Sequence, residues 1–506
     1  MRLADRVPSD PEDTIWDVVV IGTGAGGGPA GLTLARRGVS VLFLEQGSLQ
    51  QSVASTSNRP HVRTVAGRVD FDEDAHGWPS RTGRRDIKSE FIVGSGIGGT
   101  TAVFSMAMDR FRPVDFTPHR FSHLAPSSTL PSAWPIQYED LDPYYSEAES
   151  LFRVRGSLDP LTQIRCALLD PLDPSEVEIR VQRILTRGGL HPYSLHYARE
   201  FVSGCDGCMS VCCPRACKND AGRVCVIPAL ENHNAHILPD CTIIKLETDG
   251  RSVRRARGLW SGREVAIRGR IFVLALNALS TPALLLRSAS ESFPDGIGNS
   301  SGMVGRNLMT HVSDCITVRM EGIGGLSNMA LRNGISLNDF YFKDSVKLGN
   351  IHAHAMDLSH MLEEKEVGAS SGKSAGAILF FTIVEDFPYA HNRVTPRAGT
   401  DDEIYWEYRY PAELKRRNTL LLKDFASAIP GCEIVTMQPS GMLNMSHICG
   451  TCRFGDDPRT SVLDRDNKMH DLDNVYVLDA SFFPSSGGIN PSLTIVANSL
   501  RVGSLI

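Results

Sequence analysis

The sequence predicts an α/β protein that begins with a Rossmann-like dinucleotide-binding unit and carries a strand-rich part in its middle. Three observations support that expectation. Near the N-terminus an apolar strand runs into a glycine-rich turn and a helix. A second apolar strand follows and ends on an acidic residue. Alternating apolar runs recur further on. At 506 residues, with 42% hydrophobic and 22% charged, the chain has an ordinary globular composition and room for two domains.

The N-terminal unit spans Trp16 to Ser48. "DVVVIG" reads as a buried strand rich in β-branched residues. "GTGAGG" sets Gly22, Gly24 and Gly27 at G-x-G-x-x-G spacing. "GPAGLTLARRG" continues as a helix that stops at Gly38, and "VSVLFLE" is the second strand, ending at Glu45. Gly22 permits the tight strand-to-helix turn, Gly24 lets backbone approach a pyrophosphate, and Gly27 lets the helix pack on the strand. The helix N-terminus offers free N–H groups to phosphates. Glu45 lies where a carboxylate can accept from a ribose diol. The fingerprint alone does not choose between FAD and NAD.

Four further segments make that choice. They are a second glycine loop, "GSGIGGTTAVF" (94–104); a Trp-Pro turn and amphipathic helix, "WPIQYEDLDPYYSEAESLFRVRG" (134–156); "IFVLALNALSTPALLLRSA" with the loop ending "GRNLMTH" (271–311); and a C-terminal block from "HICGTCRFGDDP" through "VYVLDAS" to "GGINPSLTI", within 447–501. Together they resemble the glucose–methanol–choline (GMC) family of FAD-dependent alcohol oxidoreductases. Within it the match is similar to bacterial oxidases that act on a primary alcohol of an aminoglycoside. The resemblance implies the GMC fold: a discontinuous Rossmann-like FAD domain (1–310 and 445–506, with a cysteine-rich loop at 203–220) and an α+β substrate domain on an antiparallel sheet (mainly 311–444). The middle, about 316–439, carries no recognised motif, but "DCITVRMEGI" and "GAILFFTIVED" read as strands.

Oxidising an alcohol removes a hydride and a proton, and the proton needs a base titrating near neutrality, which histidine supplies. By resemblance His447 is that base and Asn490 holds the substrate oxygen. The resemblance also implies that Gly98, Gly99 and Thr100 of the second glycine loop, Asp479 and Ala480 after a strand, and Asn490, Pro491 and Thr494 at the start of the last helix contact FAD. That helix N-terminus suits negative charge on the reduced ring. Family members often carry Asn where Phe104 stands here, and Phe104 and Met106 are expected in the substrate pocket. Those with covalent FAD carry a His where this chain has Val103, so FAD is expected to bind non-covalently. His311, which ends "GRNLMTH", is not taken as a site residue, and His470 reads as a surface residue. His233 and His236 have no nearby carboxylates and make a poor metal site.

"SGCDGCMSVCCPRACKND" (203–220) holds Cys205, Cys208, Cys212, Cys213 and Cys217. Three readings stay open. An iron–sulfur cluster would relay electrons to a carrier, making a sugar dehydrogenase. A structural zinc would use the C-x2-C knuckle. Plain packing of small thiols needs no metal. Cys449 and Cys452, beside the base motif, read as packing. The substrate is expected to be a small-molecule alcohol on a sugar, aminoglycoside or aminocyclitol, with O2 or a redox carrier as acceptor. A non-catalytic flavin- or metal-binding subunit is the reading from another class.

Charge adds little. The net formal charge is −6, so the total does not favour nucleic acid. "RSVRRARGLWSGREVAIRGR" (251–270) reads as a hairpin with one solvated, arginine-rich face. The first residues lack an apolar h-region and no run of about 18 uncharged apolar residues exists, so no span is expected and the cytoplasm is the expected location.

Overall fold

The computed structural model describes residues 2–49, 62–71, 86–205, 207–208, 211–215, 217–320, 323, 328–343, 345–355, 377–397, 400, 403–436, 443–444 and 446–506. Its first sheet is centred on β1 (Ile15–Ile21). This strand lies parallel to β2 (Val41–Leu44) on one side and to the C-terminal half of β8 (Arg263–Leu274) on the other. β5 (Ala235–Leu238) extends the sheet beyond β2, and β19 (Val475–Val477) beyond β8, both parallel. Val18 to Ile21 are all buried, as expected for a parallel strand covered on both faces. The long connection from β2 to β5 carries α2 (Tyr138–Leu151), α3 (Glu176–Arg187) and α4 (Ile227–Asn232). After β1 comes α1 (Gly27–Arg36), and after β8 comes α5 (Ser280–Arg287).

β6 (Cys241–Asp249), β7 (Ser252–Trp260) and the N-terminal half of β8 form an antiparallel meander on the same sheet. Ser261 and Gly262 both have positive φ (49° and 80°), the two-residue turn that matches strand twist. The arginines of β7 face solvent, where Arg257 meets Glu247 at 2.5 Å, as the hairpin reading expects.

A second, six-stranded sheet is mostly antiparallel. It runs β11 (Ile335–Leu337), β14 (Gly349–Ala353), β15 (Ala377–Glu385), β10 (Cys315–Arg319), β18 (Glu433–Thr436), with β9 (His311–Val312) on the end of β15. The two strands expected at 314–323 and 376–386 are neighbours, paired from Cys315 with Phe381 to Arg319 with Ala377. Every residue of β15 is buried, so the strand is apolar on both faces apart from Thr382 and Glu385 instead of alternating. A short hairpin joins β12 (Phe342–Lys343) to β13 (Val346–Lys347). A third sheet of four strands combines β3 (Val62–Phe71), β4 (Asp86–Gly94), β16 (Arg393–Pro396) and β17 (Ile404–Tyr410), with β17 parallel to β3. α6 (Ala412–Ala428) packs behind β15, and the last helix, α7 (Ser492–Leu505), packs against α1 and α2. Among the described residues no helix is long and apolar enough to cross a membrane.

Candidate functional site

One cavity of about 1020 Å³ runs from the C-terminal ends of β1 and β2 to the face of the antiparallel sheet. Its first end is built from glycine. Gly22 takes φ 103°, and a Cβ there would meet the Ala275 carbonyl oxygen at 2.3 Å. At Gly27 a Cβ would lie 2.0 Å from the Gly22 carbonyl, and this glycine sits beneath the cavity instead of lining it. Gly24 differs: the nearest atoms to a Cβ would be 3.9 Å away, so its missing side chain opens the cavity. Those atoms belong to Gly98 and Gly99, so the two glycine loops face each other. Gly98 (φ 93°) packs against Asp220 and Gly222, whereas Gly99 and Thr100 line the wall.

Two buried carboxylates fix the loops of this end. Glu45 accepts from the amides of Gly47 (3.0 Å) and Gly96 (2.9 Å) and from the Thr23 hydroxyl (2.6 Å). Burial pushes its carboxyl above the usual range, against those bonds. Asp479 accepts from the Asn277 amide (3.1 Å), the Thr281 hydroxyl (2.5 Å) and the Ser481 amide (2.9 Å), tying the turn after β8 to the turn after β19. Glu45, Asp479 and Ala480 all line the cavity.

At the other end His447 and Asn490 line the cavity together with Pro491, Phe104 and Cys208. The Asn490 side-chain amide nitrogen is buried without a hydrogen-bond partner among the described residues, a donor left for a bound group. His447 Nδ1 lies 3.1 Å from His311 Nδ1. His311 Nε2 faces two carbonyl oxygens, Gly487 at 2.9 Å and Ser486 at 3.2 Å. Carbonyls only accept, so Nε2 of His311 carries the proton. Burial holds this imidazole down at about 4, so it is neutral near pH 7 and its Nδ1 is an acceptor. His447 must then donate from Nδ1, which leaves its Nε2 lone pair free. Burial, and then the imidazoles of His311 and His352, hold His447 well below the ordinary histidine range.

A buried ion cluster braces the turn that carries this arrangement. Lys347 bridges Asp115 and Glu385 (2.6 Å to the latter), and all three side chains are excluded from solvent. Glu385 accepts from the Gly487 amide at 3.0 Å. Tyr341 donates to Asp115 at 2.7 Å and accepts from the Gly488 amide at 3.0 Å.

Some expected residues lie elsewhere. Thr494 does not line the cavity; its hydroxyl is 2.9 Å from that of Tyr145 on α2. Met106, at φ 67°, is buried in the core beneath Phe104 and also does not line it. The cysteine loop borders the cavity through Gly207, Cys208 and Val211. Its thiols form a chain of neighbours, Cys205 beside Cys217, Cys217 beside Cys213 and Cys213 beside Cys208, with Cys212 not hydrogen-bonded to any of them. Cys213 also accepts from the Cys217 amide at 3.2 Å, and Arg199 donates to Cys205 at 3.2 Å. Among the described residues no three His, Cys, Asp or Glu converge to hold a metal. The cluster and zinc readings of Cys205, Cys208, Cys212, Cys213 and Cys217 therefore gain no support. Sequence reasoning missed His352 and His354 on the antiparallel-sheet wall, and Ser313 and Phe381 beside them.

Models of the GMC oxidoreductase family match residues 196–313 and 394–499. The chain is 29% identical to 6'''-hydroxyparomomycin C oxidase of Streptomyces lividus, over 99% of this chain and 93% of that protein. It is also 29% identical to paromamine 6'-oxidase of Streptomyces fradiae, over 97% and 91%. Among solved structures, pyridoxine 4-oxidase from Mesorbium loti aligns over 97% of this chain and 99% of its own, with a TM-score of 0.67 at 18% identity.

Proposed function

The chain belongs to the GMC oxidoreductase family and is an FAD-dependent enzyme acting on CH–OH groups, and we propose that it oxidises an alcohol group of a sugar, aminoglycoside or aminocyclitol to an aldehyde or ketone, with His447 as the base. The observation that carries this reading is the His311–His447 pair, whose hydrogen bonds leave a bare Nε2 on His447 inside the cavity. A neutral imidazole held in one tautomer can accept the hydroxyl proton without first losing one of its own. Asn490 contributes the unpartnered amide that orients the substrate oxygen.

The residues at the glycine end fit FAD. The open space above Gly24 admits a pyrophosphate, Gly99 and Thr100 face it, and Glu45 lines the same end where a ribose would lie. Asp479 and Ala480 at the glycine end and Asn490 and Pro491 at the His447 end line the same cavity, and α7 directs its N-terminus there. Bound FAD supplies the hydride acceptor. Gly98 and Thr494 support this wall from behind, through the Asp220 loop and α2.

The test is anaerobic reduction of the bound flavin by paromamine and by simple sugars. His447→Ala should retain the yellow cofactor and lose reduction by at least 100-fold, consistent with general-base contributions. Undiminished reduction in that variant would remove His447 from its role. Hydrogen peroxide released during turnover identifies oxygen as acceptor. A relay through the cysteine loop instead requires stoichiometric iron after anaerobic purification.

A further inference from the structure

We propose that His352 and His354 form a matched pair that reads a second hydroxyl of the substrate, beside the carbon being oxidised, and so select vicinal diols over simple alcohols. The inference rests on the alcohol-oxidising reading above and adds the chemistry of the group next to the reacting one.

The two imidazoles stand two residues apart, at and just beyond the end of β14, and line the cavity with His447. Their ring centroids are 4.5 Å apart, and the side chains are 2% and 3% exposed. His352 Nδ1 lies 2.8 Å from Asn350 Oδ1. The orientation of that amide is fixed, because Asn350 Nδ2 reaches Ser336 Oγ at 2.9 Å and Asn338 Oδ1 at 2.8 Å. His352 therefore donates from Nδ1, and its Nε2 is an acceptor.

His354 has the opposite arrangement. Its Nδ1 lies 2.9 Å from the Tyr197 hydroxyl, which already accepts from the Ala355 amide at 2.9 Å. Among the described residues the phenolic proton has no other acceptor and goes to His354 Nδ1, so His354 Nε2 carries a proton and donates. Burial keeps both imidazoles below the ordinary histidine range, so both are neutral near pH 7. Neither Nε2 meets a hydrogen-bonding group among the described residues.

One acceptor and one donor side by side in a buried wall match a hydroxyl, which donates to one and accepts from the other. An ammonium can only donate and a carboxylate can only accept. The described carboxylates lining the cavity are Glu45 and Asp479, both engaged at the glycine end. No described anion therefore faces the His447 end to hold an ammonium. A site built to bond a hydroxyl rejects the analogue lacking it, because its own polar atoms are then left unpaired.

The experiment compares propane-1,2-diol with propan-1-ol on the holoenzyme, by kcat/KM and by the rate of anaerobic flavin reduction. The wild type should favour the diol by at least 10-fold. His352→Leu and His354→Leu should each lower that ratio by about 10- to 100-fold. His354→Gln, which keeps a donor, should recover part of it. In parallel, propane-1,2-diol is titrated into His447→Ala holoenzyme and followed by perturbation of the flavin spectrum, and the added His352→Leu change should weaken binding by a similar factor. A wild-type ratio near one, or Leu variants that slow both alcohols equally, overturns the pair while leaving alcohol oxidation intact. If neither alcohol is oxidised but the titration still depends on His352, the pair stands and the reading of the reaction falls.

Discussion

His311→Leu tests the proposed proton-accepting geometry without touching a residue proposed to face the substrate. In the wild type His311 Nδ1 accepts the Nδ1 proton of His447 at 3.1 Å, and the Gly487 and Ser486 carbonyls hold the His311 ring in that tautomer. Leucine fills similar space but removes the acceptor. His447 then keeps an unpaired buried N–H, which costs about 1–3 kcal/mol, or moves its proton to Nε2, where it blocks proton acceptance. Either outcome predicts a fall in kcat/KM of about 5- to 150-fold. The assay is stopped-flow flavin reduction by a saturable alcohol, with His311→Gln as the control. Its amide can accept from His447 and donate to Gly487, and it should recover most of the loss. A second readout is the acid limb of the kcat/KM profile. The imidazole of His311 helps to depress His447, so the limb should move to higher pH in the Leu variant. A Leu variant within twofold of wild type, with an unmoved limb, would refute the tautomer argument.

Three further outcomes follow from the same geometry. Gly24→Val projects into open cavity, whereas a Cβ on Gly26 meets the Leu478 carbonyl at 2.3 Å; the first should lower the flavin-to-protein ratio with the fold retained, and the second should lower Tm. Lys347→Met leaves Asp115 and Glu385 buried together without their cation, and should cost about 3–5 kcal/mol by denaturant unfolding, with part recovered on adding Glu385→Gln. Acid should destabilise the protein: His311 and His354 are held at about 4 and about 3, below the unfolded value near 6.5. The unfolded chain therefore binds protons that the folded chain refuses, and stability present above pH 6.5 falls by about 2 kcal/mol between pH 6 and pH 5 for the two groups together. Denaturation midpoints at those two pH values check the slope.

Local periodicity made some of the fold readable and left the rest invisible. β1, α1 and β2 were legible because a buried parallel strand, a glycine turn and a buried second strand have few other uses in that order. β10 and β15 were legible as strands from their apolar runs. The third sheet was not. β3 pairs with β17 across more than 300 residues, and its register depends on Trp406 lying where a Cβ on Gly67 would be, 2.1 Å from the indole, with Trp406 Nε1 bonded to the Val65 carbonyl at 2.8 Å. Nothing in either segment alone announces that partner. The misplaced Thr494 has a plainer cause. Ser492 and Ile495 share the cavity face of α7, and at about 100° per residue Thr494 lies on the far side of the helix from Ser492, toward α2.

The cysteines and the histidines show opposite limits of spacing as a guide to chemistry. Five close thiols suggested one centre, and the loop does bring Cys205, Cys217, Cys213 and Cys208 together in a chain of neighbours, yet among the described residues no three side chains converge to hold a metal. "NIHAHA" (350–355) suggested nothing, although it carried the stronger signal. A strand puts every second residue on one face, so Asn350, His352 and His354 share a side opposite Ile351, Ala353 and Ala355. All six are buried. A strand with a polar row on a buried face must answer those groups from within the protein or with a ligand. Asn350 is answered by Ser336, Leu337 and Asn338, and each histidine by one ring nitrogen. Both histidines line the cavity with one ring nitrogen each left over, which is why this wall, and not the cysteine block, is the one we propose to read the substrate.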